Sequence, residues 1–128
     1  MLYIIDTYAW VEYFLGSAKG EVLKKLFESE KHRFFTAECC LAEIKAWSLQ
    51  NNKDFDVLFK IVRANCTILP LTEHNWIDAA SVRFEQRKER KNFGMIDAIL
   101  LVKQKEYSCN IITGDKHFKG LKDIIFLE

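Results

Sequence analysis

The chain predicts an α/β fold built on a mainly parallel sheet of about five strands. Three observations carry that prediction. Short apolar runs without polar alternation, as strands buried on both faces require, recur between longer segments of helical periodicity. One proline and five glycines in 128 residues leave little material for linkers. Aspartates stand just beyond two of the apolar runs, where open parallel sheets place their ligand sites.

Residues 2–5 form the first such run and predict a buried strand ending at Asp6. Thr7 can cap a helix that runs through Ala9, Trp10, Tyr13 and Phe14 to Gly16. Ser17 to Ser29 predicts a second helix, with Val22, Leu23, Leu26 and Phe27 on one face. Arg33–Phe35 is a short strand. Thr36 is then placed to cap a helix carrying Leu41, Glu43, Ile44 and Leu49, with Glu38 in its first turn. Residues 54–64 repeat Phe55, Leu58, Phe59 and Val62 at helical spacing. Thr67–Leu69 is a strand stopped by Pro70. Thr72 and Glu73 open a long helix through Trp76, Ala80, Val82 and Phe84, whose end, Arg83 to Lys91, is rich in arginine and lysine. Met95–Glu106 is apolar almost all round apart from Asp97, the pattern of an interior helix. Cys109–Ile112 and Ile124–Phe126 supply the last strands. One domain over residues 1–128, with right-handed crossovers, is expected.

A net charge of +1 excludes a general polycation, so any nucleic-acid contact must come from a local basic face. The N-terminus lacks the basic region of a signal peptide, and no apolar stretch approaches the roughly 20 residues of a membrane span. A cytoplasmic protein without membrane contact is expected. Cys39, Cys40, Cys66 and Cys109 show no C-x-x-C spacing and read as free thiols rather than a zinc site or disulfides.

Four acids carry the functional argument. Asp6 directly follows the first strand, and Asp115 follows Ile111-Ile112 across Thr113-Gly114. If those strands are neighbours, both carboxylates enter one crevice. Asp97 interrupts Met95-Ile96-Ala98-Ile99-Leu100, where a charge without a partner is costly and a cation is one such partner. Glu43 sits among Leu41, Ala42, Ile44 and Ala46, which predicts partial burial, but Glu12, Glu38 and Asp78 also fall in helices and periodicity alone does not rank Glu43 above them. Acids so placed repel one another unless protonated or bound to a cation. Mg²⁺ or Mn²⁺ would neutralise them, acidify a water that attacks phosphorus, and stabilise charge on the phosphoryl oxygens. Thr7 and Thr113 can hydrogen-bond a carboxylate, and Gly114 would let a phosphate approach closely.

The chain resembles the PIN-domain family, and within it the stand-alone VapC-type toxins, over almost its whole length. The resemblance rests on Ile4-Ile5-Asp6-Thr7 with Ala9-Trp10-Val11-Glu12-Tyr13-Phe14, on Ala42-Glu43, on Asp97-Ala98, and on Thr113-Gly114-Asp115-Lys116-His117-Phe118. The last block is similar to the family's closing T-x-D-x-x-F. The resemblance implies a PIN-like three-layer α/β/α sandwich and a Mg²⁺- or Mn²⁺-dependent ribonuclease, the homodimeric toxin of a type II pair inhibited by a small antitoxin. By position, Asp6, Glu43, Asp97 and Asp115 would bind metal, with Thr113 supporting. Tyr8 departs from the serine or asparagine of many relatives, which puts hydrogen bonding near Asp6 in question. His117 is expected to pack or face solvent.

RNA is the expected substrate. Arg83, Arg87, Lys88, Arg90 and Lys91 could meet its phosphates, and Lys116 and Lys119 lie nearer the predicted chemistry. An exposed Trp10-Tyr13-Phe14 face would mark a binding groove, although core packing is the default. Two rival functions stand beside the toxin: an RNA-processing nuclease without an antitoxin, and a non-catalytic module that keeps the fold.

Overall fold

The computed structural model describes residues 1–128. Five parallel strands form one sheet: β1 (Leu2–Ile5), β2 (Arg33–Ala37), β3 (Thr67–Leu69), β4 (Asn110–Thr113) and β5 (Ile124–Phe126). Their spatial order is β3-β2-β1-β4-β5. The chain therefore starts in the middle, builds outward through β2 and β3, then returns to lay β4 against the free side of β1. Strand order reverses between β1 and β4, which opens a crevice at their carboxyl ends. The register pairs Ile5 with Ile112, and the Asp6 N–H donates to the Ile112 carbonyl at 3.0 Å. The two segments that leave these strands, at Asp6 and Thr113, are thereby held side by side.

Six helices complete the fold: α1 (Thr7–Leu15), α2 (Ala18–Phe27), α3 (Cys39–Gln50), α4 (Phe55–Asn65), α5 (Glu73–Gln86) and α6 (Met95–Tyr107). Alternate strand residues enter two separate cores. Ile4 and Ile111 join Phe93, Ala98, Ile99 and Leu100. Ile5 and Ile112 join Ala9, Trp10, Leu23, Ile44 and Val62. All four isoleucines are fully buried, which is why their runs show no polar alternation. Helix α1 packs on α2 through Gly20, where any side chain would strike the backbone of Glu12 and Tyr13.

Two expected caps are displaced. Thr36 is not a helix cap: β2 continues to Ala37, Thr36 pairs with Ile68, and its buried hydroxyl accepts the Trp10 indole N–H at 3.0 Å. Helix α3 begins without a side-chain cap, and Glu38 instead accepts the Leu71 N–H at 2.8 Å. At α1 the cap is Asp6, whose carboxylate accepts the Thr7 N–H at 2.7 Å. Thr72 caps α5 as expected, and Asn75 closes a capping box with it. Trp10 is fully buried and stacks on Phe14, leaving only Tyr13 and Phe14 of that trio partly exposed.

Candidate metal centre

The four acids come from four elements and meet at the β1/β4 crevice. Asp6 is 6 % exposed, and each of its oxygens is held: Oδ1 by the Thr7 N–H at 2.7 Å, Oδ2 by the Thr113 hydroxyl at 2.7 Å. The Thr113 hydroxyl oxygen also accepts the Asp115 N–H at 3.0 Å, so one side chain fixes both strand-end acids. Glu43 reaches the rim of the crevice from α3 and accepts the Thr7 hydroxyl at 2.8 Å. Asp97, in the first turn of α6, accepts the Gly94 N–H at 2.9 Å through Oδ2. The same oxygen lies 2.8 Å from His117 Nδ1. Asp115 caps a 3-10 turn, Lys116–Phe118, through the His117 N–H at 2.9 Å.

These contacts use one oxygen each of Glu43, Asp97 and Asp115, leaving the other free to take a ligand. The ligating atoms fall into two sets, Asp6 with Cys40 and Glu43, and Asp97 with Asp115 and His117, each within 4.8 Å. No lysine or arginine lies within salt-bridge distance of any of the four acids. Burial pushes the Asp6 carboxyl up to about 7, and the charges of Glu43 and Asp97 add to it against the bond from Thr113. Glu43 is raised as well, by desolvation first and then by Asp97 and Asp115. Mutual repulsion of this kind, in a set of hard oxygen donors with no lysine or arginine among them, fits a divalent ion. Cys40 is a poor partner for one. Its bond with Cys39, burial and the Asp6 charge raise its thiol well above the usual value and keep it protonated.

Two residues have roles that the linear pattern hid. His117 packs near Phe93, as expected of it, but its ring also bonds Asp97 and lies 3.6 Å from Asp115. The signal was its position two residues after Asp115, the spacing that a 3-10 turn folds back onto its own cap. Gly114 makes room for the Tyr8 ring, with which a side chain there would collide. Tyr8 itself turns away from Asp6, and its hydroxyl accepts from Lys19 at 2.8 Å.

A PIN-domain family model matches residues 3–124. No curated protein matches the chain in a sequence comparison. Among solved structures, a toxin–antitoxin complex from Klebsiella pneumoniae is similar over 98% of both chains, with 16% identity and a TM-score of 0.69. VapC20 from Mycobacterium tuberculosis, a sarcin–ricin-loop-cleaving toxin, is similar over 98% of this chain and 99% of its own, with 15% identity and a TM-score of 0.78. VapBC2 from Rickettsia felis, bound to a promoter DNA fragment, shows 15% identity over 98% and 97% of the chains, with a TM-score of 0.73. At such identities the likeness is one of fold.

Proposed function

We propose, from the premise that this chain belongs to the PIN-domain family, that it is a Mg²⁺- or Mn²⁺-dependent endoribonuclease, the toxin of a type II toxin–antitoxin pair. The observation that carries this reading is the convergence of Asp6, Glu43, Asp97 and Asp115 with no lysine or arginine paired to any of them. These four would hold the metal. When bound, it would lower the pKa of a water and stabilise charge developing on the phosphoryl and leaving oxygens.

The chain's own residues supply the positioning. Thr113 locks Asp6 to Asp115, Thr7 ties Glu43 to the start of α1, and His117 fixes the orientation of Asp97. Such bonds hold acidic oxygens at fixed positions before substrate arrives, which removes a reorganisation cost at the reacting phosphate. With the Cys40 thiol kept protonated, hydrolysis needs no protein nucleophile.

The antitoxin partner is supported by neighbours that were solved as toxin–antitoxin complexes. Helix α5 exposes Ile77 and Phe84 seven residues apart on one side, which supports a face covered by protein, in a homodimer or in the antitoxin complex. The enzymatic reading is tested with purified Asp6→Asn and Asp97→Asn. Each should lose about 10- to 100-fold or more in Mn²⁺-dependent RNA cleavage, the lower figures being the scale on which removing a ligand's support acts, with circular dichroism unchanged. Undiminished cleavage by folded variants refutes the site.

A further inference from the structure

A groove of about 610 Å³ adjoins Asp115, in the size range of nucleotide-scale sites. Lys19 from α2 and Lys116 and Lys119 from the 3-10 turn and its exit border it, with Tyr8 and Phe126 between them. None of the three ammonium groups has a carboxylate within 4 Å, although Asp115 and Glu128 also border the groove. Two of the three are steadied by aromatic side chains. Lys19 donates to the Tyr8 hydroxyl and sits 5.4 Å from its ring centre, and Lys119 lies 5.6 Å from the Phe126 ring centre. Packing of Tyr8 against Gly114 fixes its ring beside Asp115, so the position of Lys19 is tied to the acidic crevice.

Three of the five cations in the basic stretch that stood out in the sequence are engaged elsewhere. Arg87 donates to the Phe93 carbonyl at 2.8 Å, Arg90 to the Lys119 carbonyl at 3.1 Å, and Lys88 pairs with Glu85. The two arginine contacts brace the loop before α6. The cations left free beside the acids are the three lysines of the groove.

We propose that this groove is the subsite for the RNA backbone next to the scissile phosphate, with Lys19, Lys116 and Lys119 as its phosphate contacts and Tyr8 as the residue that positions Lys19. The inference rests on the nuclease reading for its substrate, and the chemistry is that of single-stranded RNA. Its backbone carries charge at every nucleotide, and each phosphate met by a lysine releases counterions.

The test measures binding of a fluorescent single-stranded RNA in EDTA, where cleavage plays no part, across a range of salt. Lys19→Ala and Lys119→Ala should each flatten the slope of log affinity against log salt by about 0.7, which is about fivefold in affinity at 0.1 M. Lys19→Arg should retain the slope. Tyr8→Phe, which keeps the ring on Gly114 but loses the acceptor, should flatten it by less than Lys19→Ala. Glu21→Ala, on the same helix, should leave it unchanged. Unaltered slopes in the lysine variants, while the parent chain still binds and cleaves RNA, would overturn the groove and leave the nuclease standing. A parent chain that neither binds nor cleaves RNA would remove both.

Discussion

Asp6 holds a conflict between burial and charge that no lysine or arginine resolves. Its carboxyl rises from 3.8 to about 7 in the folded chain, chiefly because burial disfavours the ionised form. Between those values the folded chain binds more protons than the unfolded one, so this group's contribution to stability falls as pH rises through that window. The penalty is complete above about pH 7, on the order of 4 kcal/mol. In metal-free protein, Asp6→Asn should therefore stabilise the fold at pH 8 by about 2 to 4 kcal/mol in urea unfolding. Near pH 4 the gain should shrink towards zero. A difference that stays constant with pH would show that charge burial at Asp6 is not its source. The two threonines have the opposite effect on that carboxylate. Thr7 and Thr113 place donors on it, lowering its pKa without cancelling the burial.

At the scale of elements, α6 bears a second buried charge with a different solution. Lys103 is 2 % exposed, and its ammonium lies 3.4 Å from both oxygens of Glu106 and 5.6 Å from the Tyr107 ring centre. Asn75 of α5 donates to the same carboxylate at 3.0 Å, so this cluster joins α5 to α6. Glu106→Gln should leave the ammonium without its counter-charge. We expect a loss of about 1 to 3 kcal/mol in thermal or urea unfolding, moderated because Glu106 is itself partly exposed. Adding Lys103→Met should recover most of it. An unchanged midpoint in Glu106→Gln would mean that water already satisfies Lys103. The apolar pattern of residues 95–106 made α6 legible as an interior helix, and its Asp97 legible as an anomaly. Lys103 was not legible, because a lysine in a helix ordinarily reads as a solvated one.

For the whole molecule, the crevice exists because β4 returns beside β1, and a metal bound there would link four elements. Mn²⁺ at one hundred times its Kd should stabilise the parent chain by about 2.7 kcal/mol, read as a rise in Tm that EDTA reverses. Asp115→Asn should lose most of that rise. The shift should also be larger at pH 8 than at pH 5, because Asp6 must be ionised to take part. No Mn²⁺-dependent change in the parent chain would argue for an acidic crevice that serves something other than metal.

The sequence by itself determined the alternation of strands and helices and the parallel sheet, and it marked Asp6, Asp97 and Asp115 as anomalous acids; Glu43 was indicated only by resemblance to the family. Apolar runs and helical periods are local records of which faces are buried, and an acid inside an apolar stretch records a special partner. Only the tertiary structure decided which acids share an oxygen's reach. It also decided that Thr36 pairs in a sheet, that His117 turns back to Asp97, and that Lys19, held by Tyr8 and paired with no carboxylate, stands beside the crevice. These depend on strand order and side-chain direction, which join residues as far apart as 6 and 113 and leave no mark in local spacing.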